Sequence, residues 1–240
     1  MRTFFSSLVD LLYPPTCLYC GEVLEKEMPP FCWHCLSQIS FITSPCCPYC
    51  GYPYTESDEI DHPCGDCLIN PPSFTLARSL GRYEGILMEV IHRFKYGRKR
   101  SIGVALGKMM ALSSYPSFNI DKYDLVMPVP LHVKRLKSRT FNQALILARE
   151  IARHFSLSLD CLTLRRRLNT ESQVGLSSKQ REQNVKGAFV VTNAANIKGR
   201  RILLVDDVYT TGSTVMECAR VLKRWGAQEV AILTVARASS

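Results

Sequence analysis

No stretch of this 240-residue chain approaches the roughly eighteen consecutive apolar residues of a spanning helix, so the sequence predicts none. An export signal is also missing. Residues 1–15 carry a single Arg, and Ser6, Ser7 and Asp10 interrupt the apolar residues, leaving no unbroken hydrophobic core and no small-residue cleavage site. Phe4, Phe5, Leu8, Leu11 and Leu12 have instead the spacing of a short amphipathic helix. A chain without an export signal is expected in a reducing compartment, and this one reads as cytoplasmic. Basic residues are scarce in the first third. Residues 1–72 hold 2 Lys+Arg against 9 Asp+Glu, a net charge of −7, whereas residues 73–240 hold 28 against 12, a net of +16. Such asymmetry predicts two modules, 1–72 and 73–240, meeting near Pro71-Pro72 and facing different partners. The basic part suits a polyanion, either a small polyphosphate or a nucleic acid, against the plainer reading of a solvated surface.

Cysteine is abundant. Nine of the eleven cysteines fall between positions 17 and 67, and eight of them form C-x-x-C pairs: Cys17/Cys20, Cys32/Cys35, Cys47/Cys50 and Cys64/Cys67. Two intervening residues let both sulfurs turn toward one ion, and Gly21 and Gly51 follow two of the pairs as such a knuckle requires. Disulfides would need an oxidising compartment, and a redox pair would need one C-x-x-C on a βαβ unit. Iron–sulfur clusters use the same ligand type at other spacings. The pattern therefore predicts structural Zn2+, one or two ions, in a double zinc-ribbon module with too few apolar residues to fold on packing alone. Sequential and cross-braced ligation are both open. Cys46, His34 and His62 read as bystanders, and Cys161 and Cys218 as small buried hydrophobes.

Beyond the boundary, periodicity predicts a strand over 76–83, helices over 86–94 and 102–112, and a strand over 125–130. A helix over 141–155, a strand over 160–164 and a long exposed loop over 165–187 follow. Strands over 188–191 and 201–206, a helix over 213–225 capped at Gly226 and a strand over 229–236 complete the chain. This alternation predicts an α/β domain with a parallel sheet between helices.

One segment carries chemistry. The buried strand Arg201-Ile-Leu-Leu-Val205 runs into Asp206-Asp207, then Thr210-Thr211-Gly212-Ser213-Thr214, then a helix. Successive backbone N–H groups, hydroxyls and a helix N-terminus make a phosphate cradle. Two carboxylates there would repel a phosphate, but they suit the vicinal hydroxyls of a ribose. A ligand with a 5′-phosphate and a free cis-diol satisfies both halves, whereas an ordinary helix cap needs one such residue.

These residues resemble the ribose-phosphate signature of type I phosphoribosyltransferases. With the cysteine ribbons in front, four further segments resemble the ComF/GntX family of competence-associated proteins: Pro128-Val-Pro-Leu-His132 with Arg135, Arg139-Thr-Phe-Asn-Gln-Ala144, the stretch from Thr170-Glu-Ser-Gln173 through Leu176 and Arg181 to Asn184-Val-Lys-Gly-Ala-Phe189, and Phe94-Lys95-Tyr96. Thr140 stands where that family usually has Gly. The resemblance implies a type I phosphoribosyltransferase fold behind the ribbons. It assigns the 5′-phosphate to Thr210, Thr211, Gly212, Ser213 and Thr214, and the ribose hydroxyls to Asp206 and Asp207. Phosphoribosyl diphosphate would bind with Mg2+, its diphosphate facing the turn that includes Pro130 and Leu131. Arg135, Arg139 and Arg181 are the implied catalytic cations, the last on a hood with Gln173 and Lys186. A role in natural transformation is implied, handling incoming single-stranded DNA beside a competence helicase. The alternative is an active phosphoribosyltransferase of nucleotide or related metabolism, for which no residue identifies an acceptor. The stretch Phe94-Lys-Tyr-Gly-Arg-Lys-Arg100 interleaves aromatics with cations as a single-strand groove does. The acidic ribbons are expected to bind protein rather than phosphates.

Overall fold

A computed structural model describes residues 14–25, 30–54, 60–133, 135–136, 140–168 and 178–238, with the side chains of Ser178, Lys179, Arg181 and Glu182 excepted. The amphipathic helix expected in residues 1–13 lies outside them.

Five parallel strands form the sheet: β1 (Leu76–Arg82), β2 (Leu125–Pro128), β3 (Ser158–Leu159), β6 (Arg201–Tyr209) and β7 (Glu229–Arg237), in the order β1-β7-β6-β2-β3. The central strand β6 alternates its buried residues between two cores. Leu203 and Val205 join the helices α3 (Gly85–Tyr96), α4 (Arg100–Leu112) and α5 (Gln143–His154), while Ile202 and Leu204 pack with α7 (Ser213–Arg224). An apolar run buried on both faces is what a parallel strand between helical layers requires. The cap expected after α7 is a Schellman turn. Gly226 takes φ +87°, its N–H donates to Lys223 O at 3.0 Å, and Ala227 N–H donates to Leu222 O at 3.1 Å.

Two short helices, α1 (Trp33–Ser37) and α2 (Gly65–Ile69), belong to the ribbons. Their segment packs against the sheet. Phe31, Ile39 and the Cys32/Cys35 knuckle complete one core, and Cys47, Cys50 and Cys67 complete the other. The ribbons also cover the open edge of β1. Ala77 N–H donates to Tyr49 O at 2.6 Å, Ile42 N–H to Leu80 O at 3.1 Å, and Arg82 N–H to Ser40 O at 2.8 Å. An otherwise bare strand edge is thereby paired within the chain.

Two expectations need correction. The segment 160–164 is mostly a turn. Asp160 accepts from the backbone N–H groups of Leu162 and Thr163 at 2.8 and 2.9 Å, and the next strand, β4, starts only at Leu164 (Leu164–Arg166). Such local capping outcompetes the extended conformation, and it leaves Cys161 exposed rather than buried. The segment 165–187 is also not a featureless loop. β4 pairs antiparallel with β5 (Phe189–Val191), and α6 (Ser178–Val185) rises between them. Glu217 of α7 pins the base of this excursion by accepting Gly187 N–H at 2.8 Å.

Candidate ligand cleft and cysteine clusters

At the carboxyl ends of β2 and β6 the chain opens a cleft of about 510 Å³. This is where open α/β sheets bind ligands. Asp206 and Asp207 are the last charged residues of β6. Asp206 Oδ1 accepts the Asp207 N–H at 2.9 Å. The strand continues to Tyr209, and the loop after it closes on Gly212, the N-cap of α7, in the left-handed conformation at φ +75°. A side chain there would also collide: its Cβ would lie 2.3 Å from the Tyr209 hydroxyl, so the ring or the loop would have to shift. Thr211 Oγ1 and Ser213 Oγ are 2.8 Å apart, so the loop's hydroxyls are mutually ordered.

The opposite wall comes from the turn after β2, with Val129, Pro130, Leu131 and Arg135. Asn142 ties that turn to α5. Its Oδ1 accepts the Ala144 N–H at 3.1 Å, capping the helix, while its Nδ2 donates to Val129 O at 3.1 Å. Two cations complete the cleft. Lys95, from the end of α3, places Nζ 3.1 Å from Asp207 Oδ1. Burial works to lower the Lys95 ammonium, but the Asp207 carboxylate overrides it and holds the group above its usual value. Arg166 of β4 lies over the Phe189 ring at 5.3 Å. Burial, and then the charge of Arg135, push its guanidinium below the usual value. Two guanidinium groups lining one cleft raise its positive potential and favour an anion there.

The eight ribbon cysteines fall into two groups, Cys17/Cys20/Cys32/Cys35 and Cys47/Cys50/Cys64/Cys67, each with its four sulfurs within 4.8 Å of one another. A tetrahedral zinc–thiolate site has sulfurs about 3.8 Å apart, given Zn–S bonds of about 2.3 Å. Cys20 and Cys32 are 3.7 Å apart and Cys50 and Cys64 3.6 Å apart, each contact bridging two C-x-x-C pairs. The cysteines therefore group sequentially rather than in a cross-braced way, and the donor sets fit structural zinc. The Cys47 thiol is lowered to about 4, chiefly by its hydrogen bond with Cys50. Neither Cys46, His34 nor His62 joins a group among the described residues.

Residues 8–68 match the double zinc ribbon domain family, and residues 142–240 match the phosphoribosyl transferase domain family. Competence protein F of Haemophilus influenzae is 32% identical over 226 residues, covering 92% of this chain and 96% of that protein. The chain belongs to the ComF family. DNA utilization protein YhgH of Escherichia coli K12 is 32% identical, with 88% of this chain and 98% of that protein covered. Competence protein ComFC of Bacillus subtilis is 31% identical over 89% of this chain and 87% of its own length.

In this ComF-family chain the cleft gathers Asp206, Asp207, Thr210, Gly212, Ser213, Thr214, Pro130, Leu131 and Arg135. Thr211 belongs to the loop, but it is not part of the cleft wall. Arg139 and Gln173 lie outside the described residues, as does the side chain of Arg181, whose backbone is in α6. Lys186 is exposed. Sequence reasoning missed Arg166 as a site residue. A signal existed: in the run Arg165-Arg166-Arg167, strand alternation turns the middle residue to the face opposite its neighbours. It also misread Phe94-Lys-Tyr. Phe94 is fully buried, stacked on Phe141 at 5.8 Å, and so is closed to a nucleic-acid base. Lys95 belongs to the Asp207 carboxylate, and only Tyr96 of the three is well exposed.

Thr140 takes φ +67°. The left-handed turn that a family Gly implies is present, made by a β-branched residue at a cost of about 1–2 kcal/mol. Thr140→Gly is expected to stabilise the chain by up to about 1 kcal/mol after the entropy of the added Gly is counted. Differential scanning fluorimetry would register a melting midpoint higher by a few degrees; an unchanged or lower midpoint would remove the strain argument.

Proposed function

We propose that the cleft binds phosphoribosyl diphosphate or a related ribose 5-phosphate, with Mg2+, as part of a role in DNA uptake and utilization. The observation that carries this reading is the meeting of three groups in one cleft: the Asp206-Asp207 pair, the hydroxyl loop closed by left-handed Gly212, and the cations Arg135 and Arg166. The loop N–H groups and α7 N-terminus suit a 5′-phosphate. The aspartates suit the ribose diol, and the cations suit a diphosphate. Mg2+ would be held by the diphosphate and ribose oxygens of the ligand beside Asp206 and Asp207, where the ion would neutralise diphosphate charge. The names of the relatives, competence proteins and DNA utilization proteins, support the cellular role. Single-stranded DNA remains a partner proposal for the basic domain, and a protein, such as a helicase, for the acidic ribbons. The compartment expected is the cytoplasm; among the described residues no helix is long and apolar enough to cross a membrane.

Isothermal titration calorimetry with phosphoribosyl diphosphate and Mg2+ tests the site. Asp207→Ala is expected to weaken binding by about 10-fold or more, the worth of a charge-assisted hydrogen bond. Because that change leaves the mostly buried Lys95 without its carboxylate, Asp206→Asn is measured beside it. Wild-type affinity in both variants would remove the assignment.

A further inference from the structure

The second cysteine cluster and the phosphate loop are joined by two side chains. Arg237, the last residue of β7, is buried, and its guanidinium faces the Cys47/Cys50 knuckle. Nη1 donates to Cys50 O at 2.9 Å and Nη2 to Cys50 Sγ at 3.3 Å. The same guanidinium lies 4.2 Å from the centroid of Tyr209 and 5.6 Å from that of Tyr52. Tyr209 is buried, with Phe74 edge-on to its ring at 6.3 Å. Its hydroxyl fills the space beside Gly212, where even a methyl group would not fit. One sulfur ligand, one guanidinium, one ring and the turn of the phosphate loop thus stand in direct contact, in that order.

We infer that Arg237 and Tyr209 are positioning residues through which the second cysteine cluster holds the phosphate loop in its ligand-binding shape, so that metal occupancy of that cluster sets the affinity of the cleft for phosphorylated ribose. The inference rests on the reading of the cleft as a ribose-phosphate site. Its physical basis is the number of constraints on Tyr209. The ring is clamped between the Arg237 face and Phe74, and the guanidinium keeps its orientation through its two acceptors on Cys50. A metal that gathers Cys47, Cys50, Cys64 and Cys67 fixes the position of both acceptors. Withdrawing the metal frees the knuckle, and a buried guanidinium deprived of two acceptors has to find others. Tyr209 then loses one wall of its clamp, and Gly212 loses the group that limits its loop. Partners one contact beyond a metal's ligands commonly alter affinity or activity by about 10–100-fold when changed.

The full-length chain carries the test. Arg237→Met keeps the length and volume of the side chain while removing its donors and its charge. Cys64→Ser disables the second cluster at a ligand that neither Arg237 nor Tyr209 contacts. Ribose 5-phosphate affinity is measured by calorimetry, zinc content by elemental analysis, fold by circular dichroism, and loop order by hydrogen exchange of amides 209–214. In Arg237→Met, with zinc retained, affinity should fall roughly 10-fold and exchange at 209–214 should accelerate. Cys64→Ser should give both effects as well, and the double variant should lose no more affinity than the worse single one. Wild-type affinity and exchange in Arg237→Met would overturn the inference, as would additive losses in the double variant. Should the wild type fail to bind ribose 5-phosphate, the reading of the cleft fails. Exchange at 209–214 upon zinc withdrawal then still decides the structural link: faster exchange supports it, and unchanged exchange overturns it.

Discussion

Replacing Cys47 with Ser is expected to remove one of two zinc ions per chain and to lower the melting midpoint by about 10 °C or more. The fully buried Cys47 sulfur accepts the backbone N–H of Cys64 at 3.4 Å, so it binds the two halves of its ribbon even beyond the metal. Losing a structural zinc forfeits a large binding free energy, about 10–16 kcal/mol in isolated zinc-finger peptides. Part of that is expected to be regained here, because most of the residues of the two cores come from the sheet and its helices. What is not regained is the contact between the two. The knuckle supplies Tyr49 O to the edge of β1 and Pro48 O to Arg78, whose guanidinium is buried at 1% exposure and bonds to Pro48 at 3.2 Å. A net loss of about 3–5 kcal/mol, the range for breaking a buried charged contact, corresponds to about 10 °C in a domain of this size. Acid should act in the same direction, since protons compete with zinc for thiolates: the zinc-dependent stability is present at neutral pH and lost as pH falls. Elemental analysis and calorimetric melting check both statements. A variant that keeps two zinc ions and the wild-type midpoint would show that the second cluster is not a metal site.

Gly212→Ala should be nearly as damaging. The residue sits at φ +75°, which costs an alanine about 1–2 kcal/mol. The new methyl group would also lie 2.3 Å from the Tyr209 hydroxyl and 2.5 Å from Cζ. Tyr209 cannot retreat, with Phe74 on one side and Arg237 on the other. Overpacking of this kind typically adds about 1–3 kcal/mol. The loop is the softer partner, so the strain is relieved by moving it, and ribose 5-phosphate affinity should drop by about 10-fold or more, as for loss of a charge-assisted hydrogen bond. Scanning fluorimetry and calorimetry read the two effects separately. Retention of wild-type affinity would mean that this loop does not hold the phosphate.

Much of the architecture was open to sequence reasoning, and the exceptions share a cause. The strand–aspartate–hydroxyl–helix segment 201–224 is local: its spacing, its glycine and its apolar run all act within one strand, one turn and one helix. The helices α3, α4 and α5 were visible as apolar stripes of 3.6-residue period. The strand expected over 160–164 was misplaced because one carboxylate, Asp160, diverts the backbone into a turn, a competition that periodicity does not register. The helix α6 was missed because seven of its eight residues are polar, leaving Val185 alone and no apolar stripe to read.

What the sequence determined by itself, then, is whatever near neighbours along the chain decide: the four cysteine knuckles, the hydroxyl-rich loop 210–214, and the alternation that builds a parallel sheet. Only the tertiary structure decided which knuckles cluster, that Lys95 reaches Asp207 and Arg166 lines one cleft with Arg135, that Phe94 is core rather than a stacking platform, and that Arg237 stands between a zinc ribbon and the loop 210–214. Each of these joins residues distant in the chain, and such contacts are selected by the packing of whole layers, through burial and the satisfaction of buried polar groups. No local spacing encodes them.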